Sequence, residues 1–147
     1  MGGKYMFTGA ELEKSNEVII KVLHVDDDET SLALTKIFLE EMDKQITVDS
    51  VTKPEKVINL QNTNNYDLVL SDYKMDKMTG IDLLKKLRVS SNVPFILYTG
   101  KDFDEIQDDV LELKIDGYLM KSAEPDHYEI LVCLIKNAVK PTRKIYA

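Results

Sequence analysis

The hydrophobic pattern changes abruptly at Val18. Residues Val18 to Val25 form a short, β-branched, nearly all-apolar run, the pattern of a strand buried on both faces, and it ends on Asp26-Asp27-Asp28. Thr30 and Ser31 can cap a first helix, in which Leu34, Ile37, Phe38 and Met42 recur at helical spacing. Ile46 to Val51 predicts a second strand, and Thr52-Lys53-Pro54-Glu55 reads as a capping-box start to a helix reaching about Leu60. Asn62 to Asn65 is turn chemistry, and Tyr66 to Leu70 a third strand ending at Ser71-Asp72. Gly80 precedes a helix through Ile81, Leu84 and Leu87; Pro94 opens a fourth strand, Phe95 to Tyr98, ending on Thr99-Gly100. Ile106, Val110 and Leu113 mark the fourth helix, Gly117 to Met120 the fifth strand, and Leu131, Leu134, Ile135 and Ala138 a fifth helix that Pro141 should stop.

Five short apolar strands alternating with five helices specify an α/β fold. The expected architecture is a doubly wound (βα)5 three-layer sandwich, its parallel sheet covered on both faces through right-handed crossovers. At 147 residues the chain holds one domain. Residues 1–17, with three glycines and no sustained period, read as a flexible leader or cloning remnant; 18–140 are the domain and 141–147 a short tail.

Composition narrows the class. Hydrophobic residues at 44% and charged residues at 31% fit a globular protein and exclude disorder, collagen and coiled coil. The single cysteine, Cys133, cannot form an internal disulfide, and no basic region joined to an apolar run opens the chain; together these indicate a cytoplasmic protein. No apolar stretch approaches the ~20 residues of a membrane span. A net charge of -7 without a Lys/Arg stripe argues against direct nucleic-acid binding, leaving protein partners or a metal.

In a doubly wound sheet, ligands bind beyond the carboxyl ends of the strands. Those ends carry Asp26 and Asp27, Asp72, Thr99 and Lys121, with Thr52 and Lys53 after the second strand. Each has an ordinary reading: Asp28 and Glu29 as cap or first-turn residues, Asp72 as a loop residue, Thr99 as a cap, Lys121 as a solvated lysine. Their joint occurrence shifts the balance. Clustered carboxylates repel unless a cation is present, so Asp26, Asp27 and Asp72 predict a hard divalent ion, and Mg²⁺ suits them best. A hydroxyl and an ammonium then suit the oxygens of a phosphoryl group, with a carboxylate as the nucleophile forming an acyl phosphate.

At this point the chain closely resembles the receiver domain of two-component response regulators, over Val18 to about Lys140. The motif elements are Val-Leu-His-Val-Asp-Asp-Asp-Glu at 22–29, Leu-Ser-Asp-Tyr-Lys-Met at 70–75, Gly80, Tyr-Thr-Gly-Lys at 98–101 and Asp-Gly-Tyr-Leu-Met-Lys at 116–121. The resemblance implies a flavodoxin-like sheet in the order 2-1-3-4-5, an order for which this family is itself a standard example. It implies that Asp72 accepts a phosphoryl group from a histidine kinase or phosphotransfer protein. Asp27, Asp72 and the backbone carbonyl of Lys74 would hold Mg²⁺, Asp26 would act through a metal-bound water, and Thr99 and Lys121 would bind phosphoryl oxygens. Phosphorylation would draw Thr99 inward and let Tyr118 rotate, altering the surface of the fourth helix, fifth strand and fifth helix. That surface would address a downstream protein or a covalently linked sensor or kinase module, or form a homodimer. The fourth helix is acidic there, through Asp104, Glu105, Asp108, Asp109 and Glu112, which reads first as a solvated face.

The sequence departs from the family at three places. Asp76 stands where Pro is common, leaving that loop less rigid; Ser122 replaces the Pro after Lys121, so the link should be trans or strained. Lys74 and Lys101 occupy the positions that tune dephosphorylation. The wording of the motifs looks most like receivers of methanogenic archaea, which often precede sensory and kinase modules.

Two rival readings accompany this one. Asp26-Asp27-Asp28-Glu29-Thr30 also reads as the Asp-x-Asp-x-Thr of a haloacid-dehalogenase-type phosphatase, with Asp26 as nucleophile and Asp28 as acid/base, though it leaves Asp72 idle. A receiver fold that never takes a phosphoryl group is the other. A calcium loop at Asp26 fails, lacking the Gly and Glu at its sixth and twelfth positions. His24 is expected to be packed and hydrogen-bonded, His127 to begin the last helix with no kinase motif around it, and Cys133 to be a packed small hydrophobe.

Overall fold

The computed structural model describes residues 18–144, with side chains described through Val139; the expected leader and the last three residues of the expected tail lie outside them. The strands are β1 (Ile20–Val25), β2 (Ile46–Val51), β3 (Leu68–Ser71), β4 (Phe95–Thr99) and β5 (Gly117–Met120), joined by helices α1 (Glu29–Met42), α2 (Val57–Asn64), α3 (Gly80–Leu87), α4 (Phe103–Leu111) and α5 (His127–Lys144). They form one sheet in the order β2-β1-β3-β4-β5, and every pair is parallel. The expected fold and strand order are those observed.

Two cores lie on opposite faces of the sheet. Val25, Val69, Phe95 and Leu97 pack with Val57 of α2, Ile81, Leu84 and Leu87 of α3, and Ile106 and Val110 of α4. Val22, Leu70, Ile96 and Tyr98 pack with Leu39 of α1 and Leu131, Ile135 and Val139 of α5. The central strands β3 and β4 are buried at every position, as their continuous apolar runs require. β2 is different: its inward Ile46 and Val48 alternate with exposed Thr47 and Asp49, because an edge strand of this sheet meets water on one side.

The helix ends show which local signals govern them. Asp28, not Thr30 or Ser31, caps α1, its Oδ1 accepting from the Thr30 N–H at 3.0 Å and the Ser31 N–H at 3.5 Å. The expected capping box at 52–55 does not form; Pro54–Lys56 is a 3₁₀ turn whose cap position is Lys53, which has no side-chain acceptor to offer. Thr79 and Asp82 cap α3 reciprocally, and Asp102 and Glu105 do the same for α4. α2 stops where Asn65 takes the left-handed conformation, φ 58°. Pro141 does not stop α5, which runs on to Lys144 across the expected boundary at 140. A proline there removes one N–H and leaves the other hydrogen bonds of the final turn available.

Two side chains differ from expectation. Cys133 is exposed, because the core positions of α5 are taken by Leu131 and Ile135. His24 is fully buried as expected, but neither ring nitrogen has a hydrogen-bond partner. Burial, with the nearby Lys121 charge, drives its pKa down to about 3, so it is neutral in the folded protein.

Gly80 is required by close approach: a Cβ would collide with the backbone carbonyl oxygen of Asp72 and stand 3.0 Å from Leu97 Cδ2. Helix propensity alone favours alanine by up to ~1 kcal/mol. The collision should reverse the sign, so Gly80→Ala is expected to lose about 1–3 kcal/mol in denaturant unfolding. His24 generates a pH dependence. Between its folded value of about 3 and its unfolded value of 6.5 the unfolded chain binds a proton that the folded one refuses, so stability falls as pH drops through that window. From pH 7 to pH 5 the wild type should lose about 2 kcal/mol more than His24→Val; equal losses in denaturant titrations would exclude this role.

Candidate functional site

The carboxyl ends of β1, β3, β4 and β5 converge because β1 and β3 are adjacent at the centre of the sheet and β5 lies two strands beyond β3. Carboxylate oxygens of Asp26, Asp27 and Asp72 all lie within 4.8 Å of one another. Asp26 extends the line of β1, its N–H donating to the Val51 carbonyl at 3.2 Å; Asp72 extends β3, its N–H donating to the Val25 carbonyl at 3.1 Å. Their side chains therefore inherit the precision of the sheet.

Lys121 reaches the cluster from β5. Its backbone N–H is fixed by the Thr99 carbonyl at 2.7 Å. Its Nζ donates to Asp26 Oδ2 at 2.5 Å and to Asp72 Oδ2 at 3.3 Å. Asp26 has no side-chain exposure, Asp72 14% and Lys121 24%, so the ion pair is shielded on the Asp26 side and open on the Asp72 side. Burial holds the Asp26 carboxyl above its ordinary range, against the Lys121 hydrogen bond and the Asp28 N–H. Burial alone would lower the Lys121 ammonium, but the Asp26 hydrogen bond and the Asp72 charge outweigh it and raise it.

Asp27 is the exposed member of the cluster. Its Oδ2 accepts the Asp76 N–H at 3.0 Å, so the residue standing in place of proline supplies a donor that proline lacks and ties its loop to the acidic cluster. A solvent-open hollow beside it is lined by Asp27, Lys74, Met75, Asp76 and Lys77. Asp72 is further held by the Tyr73 N–H on Oδ1 at 2.7 Å and by Ser71 Oγ donating to its carbonyl at 2.7 Å.

Thr99 is buried, its hydroxyl accepting the Lys101 N–H at 3.2 Å; no hydrogen bond joins it to the carboxylates. Tyr118 is half-buried, packs edge-on against Phe103 and donates to the Lys101 carbonyl. Both expected switch residues thus meet at Lys101. Tyr73 donates to Asp109 of α4, so one member of that acidic face is engaged internally, and its hydroxyl is pushed up to about 12. No cis peptide occurs among the described residues, and Lys121-Ser122 is accordingly trans.

The donor set fits a small hard cation: three carboxylates against one ammonium leave the cluster net negative, and all the donors are oxygens. The phosphatase alternative fits poorly. Asp28, its acid/base, is occupied as the α1 cap, and Asp26, its nucleophile, is shut from solvent and paired with Lys121. Sequence reasoning missed two residues of the site region, Tyr98 and His127. The signal was there in Tyr98, a hydroxyl-bearing ring inside an otherwise apolar run, Phe95-Ile96-Leu97.

Comparison with known proteins identifies the family and supports the fold. The response regulator receiver domain family matches residues 22–132. The transcriptional regulatory protein CpxR homolog of Haemophilus influenzae is 37% identical over 105 residues, covering 69% of this chain and 43% of that protein. The crystal structure of a two-component response regulator from Clostridium difficile superposes with a TM-score of 0.71 at 29% identity, covering 82% of this chain and 96% of that one. The receiver domain of the Francisella response regulator 1452 gives 0.70 at 30% identity, over 84% and 98% of the two chains. The chain spans about half the length of the curated relatives it matches. These relatives come from bacteria and plants, and they give the archaeal likeness no support. The family model matches most of the described chain, and the chain belongs to the response regulator receiver domain family.

Proposed function

We propose that this chain is a working phosphoacceptor: Asp72 takes a phosphoryl group from a phosphohistidine on a histidine kinase or phosphotransfer protein. The observation that carries the reading is one ammonium, Lys121 Nζ, lying between a closed carboxylate and an open one, 2.5 Å from Asp26 and 3.3 Å from Asp72. The open carboxylate is the one a donor can reach. In the transfer an Asp72 oxygen bonds to phosphorus while the phosphorus–nitrogen bond breaks, its electron pair remaining on the imidazole. Lys121 then neutralises charge on the transferred group, and Thr99 supplies a hydroxyl once it turns from Lys101.

Asp27, Asp72 and the Lys74 carbonyl would hold Mg²⁺, with Asp26 acting through water. When bound, the ion would supply charge neutralisation for the phosphoryl oxygens. The functional unit we assign runs from residue 18 to the end of α5, acting in the cytoplasm. No helix among the described residues is long and apolar enough to cross a membrane. The output would pass through the surface of α4, β5 and α5, where Leu111, Met120 and Ile130 are exposed, to a downstream protein, a linked module or a second copy. The expectation against nucleic acid is withdrawn. It rested on a net charge of -7, whereas relatives of this chain are named transcriptional regulatory proteins. Charge bears on this domain's own surface and not on what it controls.

Incubation with Mg²⁺ and acetyl phosphate, followed by intact mass, should show one added phosphoryl group on the wild type and none on Asp72→Asn. No adduct on a wild type that binds Mg²⁺ would mean a silent module. An adduct that survives Asp72→Asn but vanishes in Asp26→Asn would restore the phosphatase.

Metal dependence is read separately in thermal melts. At 100 times its Kd, Mg²⁺ should stabilise the protein by about 2.7 kcal/mol, a rise of several degrees in Tm that a chelator reverses. Asp27→Asn should abolish most of that rise.

A further inference from the structure

Tyr98 is buried under the site already described. The Lys121 ammonium lies 5.6 Å from the centroid of its ring, and its hydroxyl meets His127 Nε2 at 2.5 Å. His127 opens α5, is 6% exposed, and places Nδ1 2.6 Å from the Glu124 carbonyl oxygen. A carbonyl only accepts, so Nδ1 carries a proton, which leaves Nε2 to pair with the tyrosine hydroxyl. The two rings stack with centroids 5.6 Å apart and planes 17° from parallel. Burial raises the Tyr98 hydroxyl well above its ordinary value, which keeps it a donor at any working pH.

The connection so formed spans the segment from Lys121 to His127, whose residues 122–126 are all exposed. Besides the first-turn backbone bonds, the internal ties described in that segment are two, the Glu124 N–H on Ser122 Oγ at 3.0 Å and the His127 ring on the Glu124 carbonyl. Lys121 stands at its head with four rotatable side-chain bonds. One carboxylate is fixed and shielded, the other is the proposed acceptor whose charge and position change on phosphorylation. Phosphorylation alters the Asp72 contact, and the Asp26 carboxylate and the aromatic face are the described contacts of the ammonium that it leaves in place.

We propose that Tyr98 and His127 are positioning residues for Lys121 in phosphoryl transfer: the ring of Tyr98 bounds the ammonium, and His127 locks that ring to the loop carrying the lysine into α5. The proposal rests on the phosphoacceptor reading of Asp72. Core packing alone would also bury a tyrosine, so the test must read something packing does not move.

The test measures the maximal rate of Asp72 phosphorylation at saturating phosphoramidate, with the half-saturating Mg²⁺ concentration measured alongside, at a temperature where melts show each variant folded. Tyr98→Leu should lower the maximal rate about threefold to thirtyfold, the range a shielded cation–π contact spans, with half-saturating Mg²⁺ unchanged. Tyr98→Phe, which keeps the ring, should recover most of the loss, and His127→Gln, which keeps a donor and an acceptor, should exceed His127→Leu. In a Lys121→Ala background Tyr98→Leu should cost nothing further. Should Tyr98→Leu fail to fold, the pair at His127 decides. An undiminished rate, a loss that Tyr98→Phe shares in full, a shifted Mg²⁺ requirement, or a loss that multiplies with Lys121→Ala would each overturn the assignment while leaving the phosphoacceptor intact. A wild type that takes no phosphoryl group would overturn both.

Discussion

Asp26 has no exposed surface and sits at the end of a central strand, where a lone carboxylate would be among the most costly groups a core can hold. Lys121 makes it tenable, and to do so it must come from the far side of the sheet. The two residues are 95 positions apart in sequence, and only the order β2-β1-β3-β4-β5 brings the end of β5 within a lysine's length of β1. The pairing is weak evidence for stability in itself, since a well-packed apolar pair could do as well. Its value lies in what it leaves over. One cation facing three carboxylates leaves the cluster net negative, so the same interaction that allows Asp26 to be buried keeps the site poised for a further cation and for a group rich in negative oxygens.

The rest of the site serves to keep these charges in place. Asp72 cannot retreat, because Gly80 packs against its carbonyl and Ser71 and Tyr73 hydrogen-bond around it. Asp27 is held from the β3–α3 loop through the Asp76 amide, across 49 residues of sequence. Each restraint uses backbone or a short side chain, and these lose little entropy on ordering. The long, mobile group is the lysine, and it alone needs a wall on its remaining side.

The alternation of apolar runs and helical spacing made the fold readable, because a parallel sheet covered on both faces leaves little freedom in which residues are strands. The strand-end rule then located Asp26, Asp27, Asp72, Thr99 and Lys121 without coordinates. What escaped was decided by tertiary geometry. β2 alternates because it is an edge, and Cys133 is outside because Leu131 and Ile135 fill the α5 stripe. His24 was expected to find a partner, yet its nitrogens meet none, a matter of what the neighbouring strands and α1 happen to present. The Tyr98–His127 bond joins residues 29 apart, each ordinary on its own.

The pleat of β4 gives the site two exits. Successive residues of a strand face opposite sides, so Tyr98 and Thr99, neighbours in sequence, enter different layers. Thr99 follows Leu97 toward the face covered by α2, α3 and α4, and its hydroxyl meets the Lys101 amide, whose carbonyl also takes the Tyr118 hydroxyl. Tyr98 follows Ile96 toward α1 and α5 and meets His127. Lys121 touches both, its backbone bonded to Thr99 and its ammonium over Tyr98. A change at Lys121 as a whole would therefore bear on both neighbours, its backbone on Thr99, whose hydroxyl is free to turn, and its ammonium on the Tyr98 ring, held at its hydroxyl by His127. The first is built to move and the second to resist. In the proposed mechanism that difference confines the response to the α4 side while the start of α5 stays registered to the sheet.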